Sequence, residues 1–101
     1  MQEGEAMATL LNIQEGTALT HEGRANKMRK TWGENTIVWF TRGFSVMVYG
    51  KDAEVMEDVC NLPVEYDAEL LQSYGNFRVL SEYIYRPKLV KAGYKICVLR
   101  D

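Results

Sequence analysis

The alternation of apolar and polar residues in this chain divides it into short, readable segments. Thr36 to Thr41 (Thr-Ile-Val-Trp-Phe-Thr) is β-branched or aromatic throughout, the composition of a central strand. Arg42-Gly43 reads as a turn, and Phe44 to Tyr49 resumes as a second strand. The pair is therefore expected to be an antiparallel hairpin closed at Gly43 and ended by Gly50. Ahead of it, Gly23 to Trp32 has helical spacing, with Ala25, Met28 and Trp32 along one face and Gly33 as its C-cap. After it, Lys51 to Asn61 places Ala53, Met56, Val59 and Cys60 on one helical face and leaves Glu54, Glu57 and Asp58 to water. Asp52 and Glu54 lie in its first turn, where the helix dipole favours negative charge.

Pro63 stops that helix. Val64 to Tyr66 reads as a short edge strand, Asp67 to Leu71 as a turn or a single helical turn, and Asn76 to Leu80 as a further strand. Ser81 is a suitable N-cap for a helix over Glu82 to Ala92, with Tyr83, Ile84, Leu89 and Val90 sharing a broad apolar side. Pro87 either kinks this helix or marks its start. Gly93 caps it, and Tyr94 to Leu99 is a final strand. The pattern predicts an α/β (α+β) fold, a mixed sheet of about five strands flanked by helices. Residues 1–20 are weakly patterned and read as an N-terminal arm, leaving one domain over 21–101.

Composition narrows the function classes. At 101 residues, 47% hydrophobic and 26% charged, the chain fits a single ordinary globular domain with one core. Glu3 and Glu5 occupy the place of a basic leader region, and no apolar run approaches the roughly 18 residues of a membrane span. A soluble protein without membrane contact is expected. Cys60 and Cys97 both lie in apolar stretches, and two separated thiols with one histidine form no four-ligand zinc site. Their usage fits a reducing, cytoplasmic setting.

The net charge of −2 hides segregation. Arg24, Lys27, Arg29 and Lys30 make the first helix basic, Asp52 to Glu69 is acidic, and the stretch from Arg78 to Arg100 is basic again. A positive face of this kind suits an anionic partner, and opposite runs can equally pair within the fold. Reactive chemistry is sparse. His21 is the one histidine and reads as an exposed surface residue, with no nucleophile tied to it by a known spacing. No phosphate-binding glycine loop is present, and the carboxylates of the acidic helix read as solvent-facing. No catalytic residue, metal or cofactor is expected.

Two runs carry a family resemblance. Phe40 to Ala53 (Phe-Thr-Arg-Gly-Phe-Ser-Val-Met-Val-Tyr-Gly-Lys-Asp-Ala) is similar to the segment Arg-x-Gly-Asp-Phe-Tyr-Glu followed by Phe/Tyr-Gly-Glu-Asp-Ala in the N-terminal, mismatch-recognition domain of the MutS DNA mismatch-repair family. Tyr85 to Val98, with Lys88-Leu89-Val90-Lys91-Ala92-Gly93-Tyr94-Lys95 unbroken, resembles the helix and strand that close that domain. Together they span about the last two-thirds of the chain in the family's order. The resemblance implies a stand-alone MutS-like domain that binds DNA, or a protein of DNA metabolism. It brings no counterpart of the family's connector, lever, clamp or ATPase domains, so ATP hydrolysis is not implied.

The family inserts a Phe beside a mismatched base and hydrogen-bonds that base with a Glu two residues later. Aligned on Gly43 and Tyr49-Gly50, these positions hold Ser45 and Met47, which have neither a π face nor a carboxylate. The resemblance therefore implies DNA binding without mismatch reading. Arg24, Lys27, Arg29, Lys30 and Arg42 would contact phosphates, which position a protein without specifying sequence. Phe44, one residue early, is the aromatic able to touch a base, or else an ordinary strand residue in the core. The alternative is a protein-interaction module whose contact is an exposed apolar edge of Val46, Met47, Val48 and Tyr49.

Overall fold

A computed structural model of the chain describes residues 20–101. The expected arm over 1–20 lies outside these residues except for Thr20. The element order is α1 (His21–Trp32), β1 (Thr36–Arg42), β2 (Ser45–Tyr49), α2 (Gly50–Cys60), β3 (Val64–Asp67), β4 (Gln72–Arg78), a short 3-10 turn (Val79–Ser81), α3 (Glu82–Lys91) and β5 (Lys95–Arg100). The strands form one mixed five-stranded sheet in the order β3-β4-β2-β1-β5. All neighbours are antiparallel except β1 and β5, which run parallel, and helix α3 supplies the return that a parallel pair requires.

Side-chain alternation along the strands builds two cores. Ile37, Trp39, Val46, Val48 and Phe77 point to the face covered by α2 and α3, where they meet Ala53, Met56, Cys60 and Leu89. Val38 and Phe40 point to the other face, where α1 brings Ala25 and the half-buried Met28. β1 is buried on both faces over Thr36–Phe40, which is why its residues form a continuous apolar run instead of an alternating one. β2 is the middle strand of the sheet, with Val46 and Val48 buried. The apolar edge expected there does not exist, because both edges of that strand are taken by β1 and β4.

The helices begin and end for local reasons. The Thr20 hydroxyl accepts a hydrogen bond from the Gly23 N–H at 2.8 Å, an N-cap that starts α1. Gly50 enters α2 with φ 58, and a Cβ there would run into the Glu22 carboxylate of α1. Asn61 ends α2 in the left-handed conformation, two residues before Pro63.

Three expectations need correction. β4 starts at Gln72, four residues before Asn76, and gives way at Val79 to the 3-10 turn. Ser81 makes no side-chain cap bond. Among the expected apolar residues of α3 only Leu89 is fully buried, while Pro87 lies inside that helix, on its exposed side, which is the first of its two expected places. No described helix is long and apolar enough to cross a membrane.

Candidate nucleic-acid interface

The hairpin between β1 and β2 closes on two residues. Arg42 pairs with Ser45, so Gly43 and Phe44 form the whole loop. Gly43 has φ 60 while Phe44 is not in the positive-φ region, the pattern of a type II′ turn, whose twist matches that of its strands. This geometry overturns the reading of Phe44 as a core strand residue: its ring is 85% exposed at the hairpin tip. The Phe44 carbonyl accepts from the Val79 N–H at 2.8 Å, which ties the tip to the end of β4 and holds it in place.

Register then gathers cations around the tip. Ser45 pairs with Arg78 across β2 and β4, so Arg42, Ser45 and Arg78 form one cross-strand row. Thr41 pairs with Arg100 at the end of β5, and the Arg24 guanidinium donates to the Arg100 carbonyl at 2.9 Å. Four arginines, Arg24, Arg42, Arg78 and Arg100, thus border the end of the sheet that carries Phe44. Leu80, 81% exposed, lies just past the end of β4 beside it. Arg78 and Arg100 stand in the basic C-terminal stretch of the sequence, but only strand pairing brings them to Ser45 and Thr41.

One carboxylate organises the middle of this cluster. Asp101 accepts from His21 Nε2 at 3.1 Å and from the Arg42 guanidinium at 2.8 Å, with Arg24 at 3.5 Å. Burial works against the Asp101 carboxylate, but the hydrogen bonds and charges of His21 and Arg42 outweigh it and hold its pKa below the usual aspartate range. His21 is not the exposed surface residue expected. It opens α1, stacks on Tyr49 with ring centroids 4.0 Å apart, and meets Phe40 edge-on at 4.8 Å. Arg24 lies over the Phe40 ring at 5.0 Å, a cation–π contact that fixes its side chain along the cluster.

The other expected site residues divide. Arg24 and Lys27 line a shallow cleft of about 300 Å³ with Met28 and Leu99, and Lys30 is exposed further along α1. Met47 is half-buried and packs with the α1-side core. Arg29 is excluded from any surface. It is only 5% exposed, donates to Asp52 Oδ1 and to Asn26 Oδ1 at 2.7 Å each, and cannot reach a phosphate. Asp52 likewise does not face water: it is 2% exposed, and its Oδ2 accepts from the Val38 N–H at 3.0 Å. Burial pushes the Asp52 carboxyl above the usual range, opposed by the Val38 N–H and the Arg29 charge. Trp32, expected on the buried face of α1, is 57% exposed, and Arg29 takes the inward place beside Ala25.

Cys60 and Cys97 are unbridged, and burial pushes both thiols above their ordinary value, so neither is a ready thiolate at neutral pH. No protein-family model and no curated protein matches the chain.

Proposed function

We propose that this chain is a non-catalytic DNA-binding module on a MutS-like N-terminal fold, which binds DNA without reading mismatches. The observation that carries the reading is Phe44: a large aromatic ring, 85% exposed on a tied-down two-residue turn, beside Arg42 and Arg78. Leaving such a ring in water gains nothing for folding, whereas stacking on a base is worth about 1–3 kcal/mol. The surrounding guanidinium groups supply the phosphate contacts that orient the protein. Ser45, exposed in the same row, offers only a hydroxyl where the family places its wedge, and Met47 is drawn into the core.

The absence of catalysis in this reading is supported by the two thiols, held protonated by burial, and by His21, occupied with Asp101 and Tyr49. Two unbridged cysteines also favour a reducing, cytoplasmic setting.

The test is a fluorescence-anisotropy titration of matched and mismatched duplexes at low salt. Equal affinity for both duplexes is expected, and Phe44→Ala weakens both on the order of tenfold. Absence of binding to either duplex overturns the reading. A mismatch preference that Phe44→Ala abolishes refutes the claim that mismatch reading is lost.

A further inference from the structure

The opposite end of the sheet carries a different surface. β3 and β4 are joined by residues 68–71, and Tyr66, Leu70 and Leu71 are 62%, 64% and 74% exposed there. Three large apolar side chains within six residues, all in water, form a patch that the fold itself does not use. The tip is held rigid: Asp67 Oδ1 accepts from the N–H groups of Glu69 and Leu70 at 2.9 and 3.1 Å. Leu71 sits at φ 54, a left-handed conformation that fixes its side chain outward at a cost to the backbone. Beside the patch opens a cleft of about 410 Å³ lined by Tyr66, Leu70 and Leu71 together with Glu22, Glu54 and Lys51. Glu65 and Glu69 add two more negative charges on the same hairpin.

We propose that this end is a protein-docking tip whose occupant is a basic, amphipathic segment of a partner protein. Apolar side chains of that segment cover Tyr66, Leu70 and Leu71, while its lysines or arginines face Glu54 and Glu69, Glu22 being already within 3.8 Å of the Arg29 guanidinium. The charge excess around an apolar centre selects the partner's sign, since an acidic segment would be repelled from every side except Lys51. Because Asp67 already orders the tip, little conformational entropy is lost on binding. The surface lies at the far end of β4 from Phe44, so it leaves the arginine-bordered end free and does not depend on the DNA reading. A second copy is disfavoured as occupant. Its basic, apolar end would dock head-to-tail, a contact that builds a ring or an open filament and not the two-fold dimer that is the commonest assembly.

The test is an amide chemical-shift titration of the labelled chain with a synthetic lysine–leucine amphipathic peptide and its glutamate–leucine analogue. The lysine peptide is expected to shift amides of residues 65–73 and 51–54, with about tenfold weaker binding for Leu70→Ser and unchanged binding for Phe44→Ala. Leu70 is exposed, so its replacement leaves the fold intact. The proposal is overturned if the lysine peptide shifts nothing there at millimolar concentration, if the glutamate analogue binds equally, or if Leu70→Ser binds as well as the unmodified chain. Sedimentation supplies one further outcome: self-association abolished by Leu70→Ser would make a second copy the occupant and overturn it too.

Discussion

Replacing Arg29 with methionine should remove a large part of this protein's stability without touching the arginines around the hairpin tip. The side chain links α1 to Asp52 of α2 at 2.7 Å, and Asp52 in turn holds the Val38 N–H of β1, so one ion pair joins three elements across the sheet. Both partners are buried, at 5% and 2% exposure. Removing one member of such a pair costs about 3–5 kcal/mol, because the remaining charge stays in a poorly solvated place. Against a typical total of about 5–15 kcal/mol, that lowers the thermal midpoint on the order of 15 °C or more.

The pH dependence follows from Asp52. Its folded-state pKa is raised by burial, so this group takes stability away as pH rises from below the unfolded value through the folded one. Without Arg29 the carboxyl is driven higher still. The variant's deficit should therefore be larger at about pH 7 than at about pH 4, because protonation of Asp52 in acid relieves the stranded carboxylate. Urea unfolding of both proteins at the two pH values measures this. A deficit under about 1 kcal/mol at neutral pH would mean that the pair is solvated. An equal deficit at both values would mean that Asp52 is not the stranded group. In the double variant Arg29→Met/Asp52→Leu, most of the loss should return, less the roughly 1–3 kcal/mol of the orphaned Val38 N–H.

Three smaller effects are expected. Thr36 is 1% exposed and its hydroxyl has no hydrogen-bond partner, so Thr36→Val, of the same shape, should raise stability by about 1 kcal/mol in chemical denaturation. Leu71→Gly relieves a left-handed leucine and should stabilise by about 0.5–1 kcal/mol in the same assay, while abolishing peptide docking. Asp101 has a lowered folded-state pKa, so its contribution is present above the ordinary aspartate value and lost as pH falls through the lowered one. Asp101→Asn should therefore cost about 0.2–1 kcal/mol at neutral pH and nothing in strong acid, as thermal scans across that range will show.

Much of the architecture is readable from local pattern, and the misreadings have physical causes. The β1–β2 hairpin is legible because β-branched and aromatic runs flank Gly43. Phe44 reads as a strand residue because an apolar residue at a strand start usually enters the core, whereas the two-residue loop points it outward. β4 begins earlier than its apolar residues indicate because Gln72, Ser73 and Tyr74 are paired but only half-buried. Arg29 looks solvent-facing on a helix of like charges. Its one local clue is the i, i+4 spacing from Ala25, and the carboxylate that pairs with it is 23 residues away. The cluster at the hairpin tip was half legible. Arg24, Arg78 and Arg100 show in the charge runs and Arg42 at the turn, but only strand register joins them at one end of the sheet, and the ring contacts of His21 depend on where α1 crosses the sheet.

On the proposed reading, the end of the sheet bearing Phe44 binds DNA through guanidinium–phosphate contacts. The most direct measurement is the salt dependence of duplex affinity for the unmodified chain and for Arg42→Ala/Arg78→Ala. Four contacts, from Arg24, Arg42, Arg78 and Arg100, predict a log–log slope of about −3.6, a loss on the order of a hundredfold between about 50 and 200 mM salt. The double variant should lose about half of that slope. Binding with a slope near zero, or a slope unchanged in the double variant, would contradict the account.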